Sequence, residues 1–475
     1  MAKSKNKIQI NFVGEASNDV TGSCIHIQTP NKQILLECGL FQSCGSTLDN
    51  YKINNKHFDF KPKEIDYVFV AHNHADHIGL LPKLYKQGCK AKIIAPTGSK
   101  QIAEILMRDS ANIMFGDATE LSAKFKREYY PIYTDSDVDM CLTYYTEYAF
   151  NEVIQLDEYI KFRFIPSGHI LNSAQIEIWI IEGNVTKKIG YTSDLGNVNI
   201  KKYYTNTFEQ ISKCDILIGE TTYARESRIA NQRMRNKDLE KLETAIRQTC
   251  VEDGARVLIP VFSNDRCQNM LTYLYDIFSR DESFDIPVLV DSPMAIRICN
   301  VYSELLDGDD AEKWKQVLSW KNVRFISDSM VSKEWRDRGE PVVVLASSGM
   351  MVKGRSTGWA HSMLPKSYDR IIFCGFAAEN SLASIIKKGE QKTITISGDK
   401  VRNKCQVTDL HSFSSHAQRD SLLEIYGSTQ CEKIVLVHGD MDAKISFSKD
   451  LQEEISKNNL TSKVVVANKG YKLSI

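Results

Sequence analysis

Five apolar runs, far apart in the chain, each lead straight to a side chain that can ligate a metal or carry a proton. Ile65 to Ala71 leads into His72-Asn73-His74-Ala75-Asp76-His77; Ile160 to Ile165 leads to His169, Lys188 to Thr192 to Asp194, Asp215 to Gly219 to Glu220, and Ile434 to Val437 to His438. Short runs of this kind, rich in Ile, Val and Phe, read as buried strands. In layered α/β structures, the crevice beyond the carboxyl ends of strands is where sites are assembled from distant segments. The chain is thereby restricted to folds in which these strand ends converge on one place. After the densest cluster, Ile78 to Gln87 reads as a helix stopped by Gly88. His26, His57, His361 and His411 fall outside the pattern and read as ordinary core or surface residues.

The side chains themselves point to hydrolysis. His72, His74 and His169 offer three neutral nitrogens for one ion, Asp76, His77 and His438 suit a second, and Asp194 has two oxygens with which to bridge. Two divalent ions roughly 3.5–4 Å apart can hold a hydroxide between them and neutralise a phosphoryl or carbonyl oxygen as charge develops. His416, in Ser412-Phe413-Ser414-Ser415-His416, has no metal role left and is the candidate acid for a leaving group. Glu220 is the carboxylate placed to orient it by hydrogen bonding to its other ring nitrogen. Asp76 could also orient the nucleophile. The expected cofactor is two Zn2+, though the same donors would accept Mn2+ or Fe.

Further segments extend the pattern over essentially the whole length: Thr21-Gly22-Ser23, Leu36-Glu37-Cys38-Gly39-Leu40-Phe41-Gln42, Ser167-Gly168-His169, Thr192-Ser193-Asp194-Leu195-Gly196, Val288 to Ala295, and Ala346-Ser347-Ser348-Gly349-Met350-Met351. With the histidine cluster, Glu220, His416 and His438, they resemble the metallo-β-lactamase-fold nucleases of the β-CASP group, RNA-processing enzymes related to the pre-mRNA 3′-end cleavage endonuclease. The resemblance implies an α/β fold in which a metallo-β-lactamase αββα sandwich carries an inserted parallel α/β (β-CASP) domain. It also implies an RNA substrate, since the position of His438 tends to be histidine in RNA-directed members and valine in DNA-directed ones. Three places depart from the family pattern: Glu37 stands where aspartate is usual, Ser263-Asn264-Asp265 replaces a small glycine-containing sequence, and Gly375-Phe376-Ala377-Ala378-Glu379-Asn380 lacks a glycine after the glutamate.

At 475 residues and 42% hydrophobic, the chain exceeds the size at which a single core usually divides. Residues 1–220 are strand-rich and carry most ligands, yet His416 and His438 lie in the last quarter, so the first domain must be closed by the end of the chain. Between them, strands alternate with helices: Val257 to Phe262 then Asp265 to Phe278, Pro287 to Val290 then Met294 to Leu306, and Pro341 to Ala346 before a polar loop. This pattern gives a parallel α/β domain at 221–397 inserted into the first, with 398–475 as the completing segment. Its polar strand ends could grip a sugar-phosphate backbone, Ser348 and Arg355 being the substrate-binding candidates because an arginine can hold phosphate with two bonds.

No apolar stretch reaches the roughly 18 residues needed to cross a bilayer, and Met1 to Lys7 lacks a signal-peptide core, so a cytoplasmic protein without membrane attachment is expected. Twelve cysteines lie scattered without a C-x-x-C pair, which suits reduced, mostly buried thiols. With 60 basic and 60 acidic side chains the chain as a whole does not attract a polyanion. Its most basic stretch, Arg225 to Lys237, reads as a solvated helix face. The expected function is a zinc-dependent ribonuclease cutting single-stranded RNA internally with a two-metal-bound hydroxide, as a homodimer or in an RNA-processing complex. Internal cutting is expected because the chain ends soon after His438. The alternatives are 5′-to-3′ exonuclease action on the same site, a small-molecule metallo-hydrolase, which would not need the inserted domain, and a non-catalytic RNA-processing subunit, which would be expected to have lost ligands.

Overall fold

The structure, a computed structural model, describes residues 7–475 except Cys44, residues 226–229, Phe376 and Glu379. Arg228 of the basic stretch and two positions of the Gly375–Asn380 segment therefore lie outside the described residues. The chain divides into two compact units, one formed by residues 1–198, 205–229 and 416–475, the other by 199–204 and 230–415. Among the described residues no helix is long and apolar enough to cross a membrane.

The first unit is built on two seven-stranded sheets. One runs, in spatial order, Lys472–Ser474, Gln9–Phe12, Ile25–Gln28, Gln33–Leu36, Tyr67–Phe69, Lys92–Pro96 and Tyr145–Tyr148; the other runs Lys463–Val466, Lys433–Val437, Ile216–Glu220, Val185–Tyr191, Ala174–Glu182, Ile160–Pro166 and Ile154–Gln155. Successive side chains of a strand face opposite ways, and that alternation builds the layers. Ile34, Leu36, Phe69 and Ile94 of the first sheet meet Phe162, Phe164, Ile176, Ile189, Ile216 and Val435 of the second in one core. Leu35, Val68, Val70 and Ile93 turn the other way, onto a helical layer with Leu84, Met107 and Val138. Leu217, Ile434 and Leu436 do the same beneath Leu422, Ile425, Phe447 and Leu451. The result is an αββα sandwich.

The expected single helix from Ile78 to Gln87 is two short ones, Ala75–Ile78 and Leu81–Lys86. Pro82 has no N–H to continue the first helix and instead sits in the opening turn of the second. The amide of Leu80 bonds Cys38 O at 2.9 Å across the break.

The second unit holds a six-stranded parallel sheet in the order Val323–Phe325, Val288–Asp291, Val342–Ala346, Arg256–Pro260, Arg370–Phe373 and Gln406–Asp409. Its central strands are buried on both faces, which explains why Val342–Ala346 is an unbroken apolar run. Residues 398–415, read from sequence as the start of the completing segment, fall in this unit because Gln406–Asp409 pairs with Arg370–Phe373 at the sheet edge.

Candidate metal centre

Every candidate residue of the centre named below belongs to the first unit and lies at, or just past, a strand's carboxyl end. His72 follows Tyr67–Phe69, His74 precedes the short helix that carries Asp76 and His77, His169 follows Ile160–Pro166, Asp194 follows Val185–Tyr191, Glu220 ends its strand, and His438 follows Lys433–Val437. Three residues of these turns hold left-handed backbone, Glu37 (φ 59°), Ser193 (φ 49°) and His438 (φ 53°). That conformation costs a side chain with a Cβ about 1–3 kcal/mol and tends to persist at functional sites.

The side chains form two groups joined by one carboxylate. His72 Nε2 and His169 Nε2 each stand 3.5 Å from Asp194 Oδ2. His74 Nδ1 lies 3.1 Å from His72 Nε2 and 3.3 Å from His169 Nε2. On the other side Asp194 Oδ1 is 3.4 Å from His77 Nε2 and 3.7 Å from His438 Nδ1. Asp76 Oδ2 completes this second group, 3.6 Å from His77 Nε2 and 3.4 Å from His438 Nε2. Candidate ligand atoms of His72, His74, His169 and Asp194 fall within 4.8 Å of one another, as do those of Asp76, His77 and His438.

The donor set fits divalent ions. His77 Nε2 and Asp194 Oδ1 are buried with no hydrogen bond among the described residues, an arrangement that is costly unless something else partners these atoms. Burial holds His72 and His169 well below the ordinary imidazole range and His74 down to about 4, so these rings are in the neutral form that ligates metal. Burial acts in the same direction on His77, but the Asp194 and Asp76 carboxylates outweigh it and hold that ring well above the ordinary range. His438 is raised similarly, chiefly by Asp194 and by its bond to Asp76. Burial would push the Asp194 carboxyl up, yet His438, His77 and His416 hold it well below the usual carboxylate range.

A second layer of contacts sets the ring orientations. Glu37, fully buried, accepts from the amide of Ala71 at 3.1 Å and from Ser193 Oγ at 3.2 Å, and its Oε1 faces His77 Nδ1 at 3.5 Å. Ser193 Oγ also lies 3.3 Å from His72 Nδ1, and Thr222 Oγ1 lies 2.9 Å from His438 Nδ1. Such partners hold ligand imidazoles in register. The sequence reading missed Ser193 and Thr222; each stands within two residues of a carboxylate it had singled out, and that adjacency was the available signal. Gly39 and Gly196 press the ligand turns together. A Cβ on Gly39 would lie 1.7 Å from Asp76 O, and one on Gly196 would lie 1.9 Å from Gly168 O.

His416 stands at the rim, its side chain 22% exposed, with Nδ1 3.8 Å from Asp194 Oδ2 and 3.6 Å from Glu220 Oε1. The expected hydrogen bond to Glu220 is thus replaced by a longer electrostatic contact. The physical reason is that Glu220 spends its oxygens on backbone, Oε1 accepting from Leu195 N and Oε2 from Thr222 N, both at 2.9 Å. His416 is held by its main chain, its carbonyl accepting from Asn197 Nδ2 at 3.0 Å.

The substrate candidates lie in the second unit. Arg355 spends three of its five N–H donors within the protein: its guanidinium donates to Asp291 Oδ1 and Asp328 O, both at 3.1 Å, and to Ser327 O at 2.8 Å. Ser348 Oγ donates to Lys353 O at 2.9 Å and can still accept a bond. Of the basic stretch, Arg225 pairs with Asp440 and Arg235 is buried against Ser412 O. Of the histidines outside the centre, His26 bonds Gln33 at 2.8 Å, His361 Nε2 lies 3.2 Å from Asp399 Oδ2 and His411 Nε2 lies 3.5 Å from Asp409 Oδ2.

The fold and this centre define a metallo-hydrolase of the αββα class. Residues 18–144 match the metallo-beta-lactamase superfamily, 267–386 the Beta-Casp domain, and 400–462 the Zn-dependent metallo-hydrolase RNA specificity domain. The chain is 28% identical to "Ribonuclease TTHA0252" of Thermus thermophilus, over 91% of this chain and 94% of that protein. It is 26% identical to "Transcription termination factor FttA" of Methanocaldococcus jannaschii, over 95% of this chain and 70% of that protein. It is 27% identical to "Cleavage and polyadenylation specificity factor 73" of Drosophila melanogaster, over 94% of this chain and 62% of that protein. A crystal structure of a protein of unknown function from Enterococcus faecalis V583 shares the fold, with a TM-score of 0.53 at 12% identity over 99% of this chain and 100% of that one. The chain belongs to the β-CASP family of the metallo-β-lactamase superfamily, a family of metal-dependent RNA nucleases.

Proposed function

We propose that the protein is a zinc-dependent ribonuclease that hydrolyses phosphodiester bonds within single-stranded RNA and uses two ions. One observation carries this reading: the two oxygens of Asp194 face two separate ligand groups, at 3.5 Å on one side and 3.4 Å on the other. In the reading proposed, His72, His74 and His169 hold one ion, Asp76, His77 and His438 hold the other, and Asp194 is shared. The relatives' names, a ribonuclease and a cleavage factor among them, support RNA as the substrate. We take the catalytic domain to be the first unit and the Beta-Casp domain to be the second, with the chain returning at His416.

When bound, divalent ions would supply an activated water and offset charge on a phosphoryl oxygen. The chain's own groups do the rest. Asp76 keeps one edge of its carboxylate open, 18% exposed, and orients the attacking water by accepting its hydrogen bond. His416, its Nδ1 turned toward Asp194 and Glu220, carries the proton to the departing oxygen. Glu220, with its oxygens taken up by Leu195 N and Thr222 N, stands 3.6 Å from this ring and faces it without sharing a hydrogen bond.

The test is one RNA labelled separately at its 5′ and 3′ ends, incubated with parent and Asp194→Ala protein, with the matching DNA alongside. Internal fragments from RNA alone, absent with the variant, are expected. Mononucleotides released from the 5′ end would make the enzyme an exonuclease, cleavage of DNA would remove the inference drawn from His438, and no cleavage by the zinc-loaded parent would refute the ribonuclease reading.

A further inference from the structure

Two thiols remote from the metal centre meet at the opposite ends of the strands that carry Glu220 and His438. Strands Ile216–Glu220 and Lys433–Val437 are parallel neighbours with Ile216 opposite Lys433. Carried back two residues, that register sets Cys214 opposite Cys431, and the amide of Cys214 bonds Gln430 O at 3.1 Å to keep the chains paired there. Neighbouring strands lie about 4.7–4.9 Å apart, within the Cα separation of about 4.4–6.8 Å that a disulfide spans. Cys214 is buried, 5% exposed, whereas Cys431 is partly exposed and both are free.

The two sulfurs are chemically unequal. The neighbouring Cys214 thiol holds Cys431 below the ordinary thiol range, with Ser462 Oγ, 3.6 Å from its sulfur, acting in the same direction. The same contact, with burial, pushes Cys214 up. A partly exposed sulfur that favours the thiolate, backed by a buried thiol in contact with it, is the arrangement in which an attacking cysteine is paired with a resolving one.

We propose that Cys214 and Cys431 form a modification site at which hydroperoxides drive reversible formation of a disulfide between the two parallel strands. The Cys431 thiolate attacks an oxygen of hydrogen peroxide; an S–O bond forms, the O–O bond breaks, and the departing hydroxide takes up a proton as water. The Cys214 sulfur then attacks Cys431; an S–S bond forms, the S–O bond breaks, and the hydroxyl leaves with the Cys214 proton as a second water. The two sulfurs together lose two electrons and the peroxide gains them. A thiol reductant reverses the step.

The experiment is mild treatment of the full chain with hydrogen peroxide, blocking of remaining thiols, digestion and mass spectrometry. A peptide joining Cys214 to Cys431, lost on treatment with dithiothreitol, is expected from the parent protein. Cys214→Ser should leave Cys431 as a sulfenic acid that dimedone captures, and Cys431→Ser should give neither product. A cross-link between Cys24 and Cys38, another pair of neighbouring thiols, in place of this one would overturn the proposal. So would a parent protein whose Cys214 and Cys431 both stay open to alkylation, or a folded Cys214→Ser variant with no dimedone adduct on Cys431. The parent alone decides the first of these questions, so a variant that fails to fold does not rescue the idea.

Discussion

Replacing Gly196 by alanine places a methyl carbon 1.9 Å from Gly168 O, 2.3 Å from Gly168 C and 3.0 Å from His169 N. All three are backbone atoms, so no side chain can swing aside. To bring the first contact even to 3.0 Å the two turns must part by about 1.1 Å. Neither turn is free to slide: Gly196 N bonds Ser167 O at 2.9 Å, and Ser173 Oγ accepts from the amides of His169 at 3.2 Å and Ile170 at 3.0 Å. The strain falls between Asp194 and His169, which belong to one ligand group. Metal sites hold donors to within about 0.2 Å, and a misplacement near 1 Å costs on the order of 10²-fold in rate. Gly196→Ala should therefore lose metal by elemental analysis and slow RNA cleavage by about 10²-fold or more, while circular dichroism reports a retained αββα fold. Gly116, in the helix Ser99–Phe125, is the control, because a Cβ added there would meet nothing within 4 Å. Gly116→Ala should keep full activity and gain roughly 0.5–1 kcal/mol of stability. Parent-like metal content and rate in Gly196→Ala would refute the claim that the close approach of these turns sets the ligand geometry.

Two further outcomes are expected. His416→Ala should retain the parent's metal and slow cleavage by roughly 10²–10⁴-fold, the usual contribution of a general acid; loss of metal in this variant would make His416 a ligand. Metal binding should also release protons, and the sign follows from the imidazole shifts. His77 and His438 are raised in the metal-free protein and must give up their protons to ligate, so affinity at the Asp76, His77 and His438 group should already fall as pH drops toward the ordinary imidazole range from above. His72, His74 and His169 are already neutral there, so their affinity should vary less. Calorimetric titration of the metal-free protein with zinc, in buffers of different ionisation enthalpy, reads the protons released; equal pH dependence at the two groups would contradict this assignment.

Candidate ligands, and the strands that present them, were already marked in the chain's local pattern. A buried strand needs an apolar run and a ligand needs a specific donor atom, and both are properties of single short segments, so His72, His74, His169, Asp194 and His438, whose donor atoms the structure brings together, were legible as candidates without coordinates. The αββα class followed from resemblance, and the alternation of Ile34, Leu35 and Leu36 between two cores shows its physical basis. Contacts between segments remote in sequence were decided only by the tertiary structure. That Asp194 divides its oxygens between two groups, that Glu220 gives its carboxylate to Leu195 and Thr222 rather than to His416, and that Arg355 pairs with Asp291 all depend on which side chain reaches a donor first. The extension of the second unit to Ser415 has the same origin, because strand pairing at a sheet edge is a choice of partner that Gln406–Asp409 does not encode alone. Local patterns record what a segment can offer; geometry in three dimensions selects what accepts it.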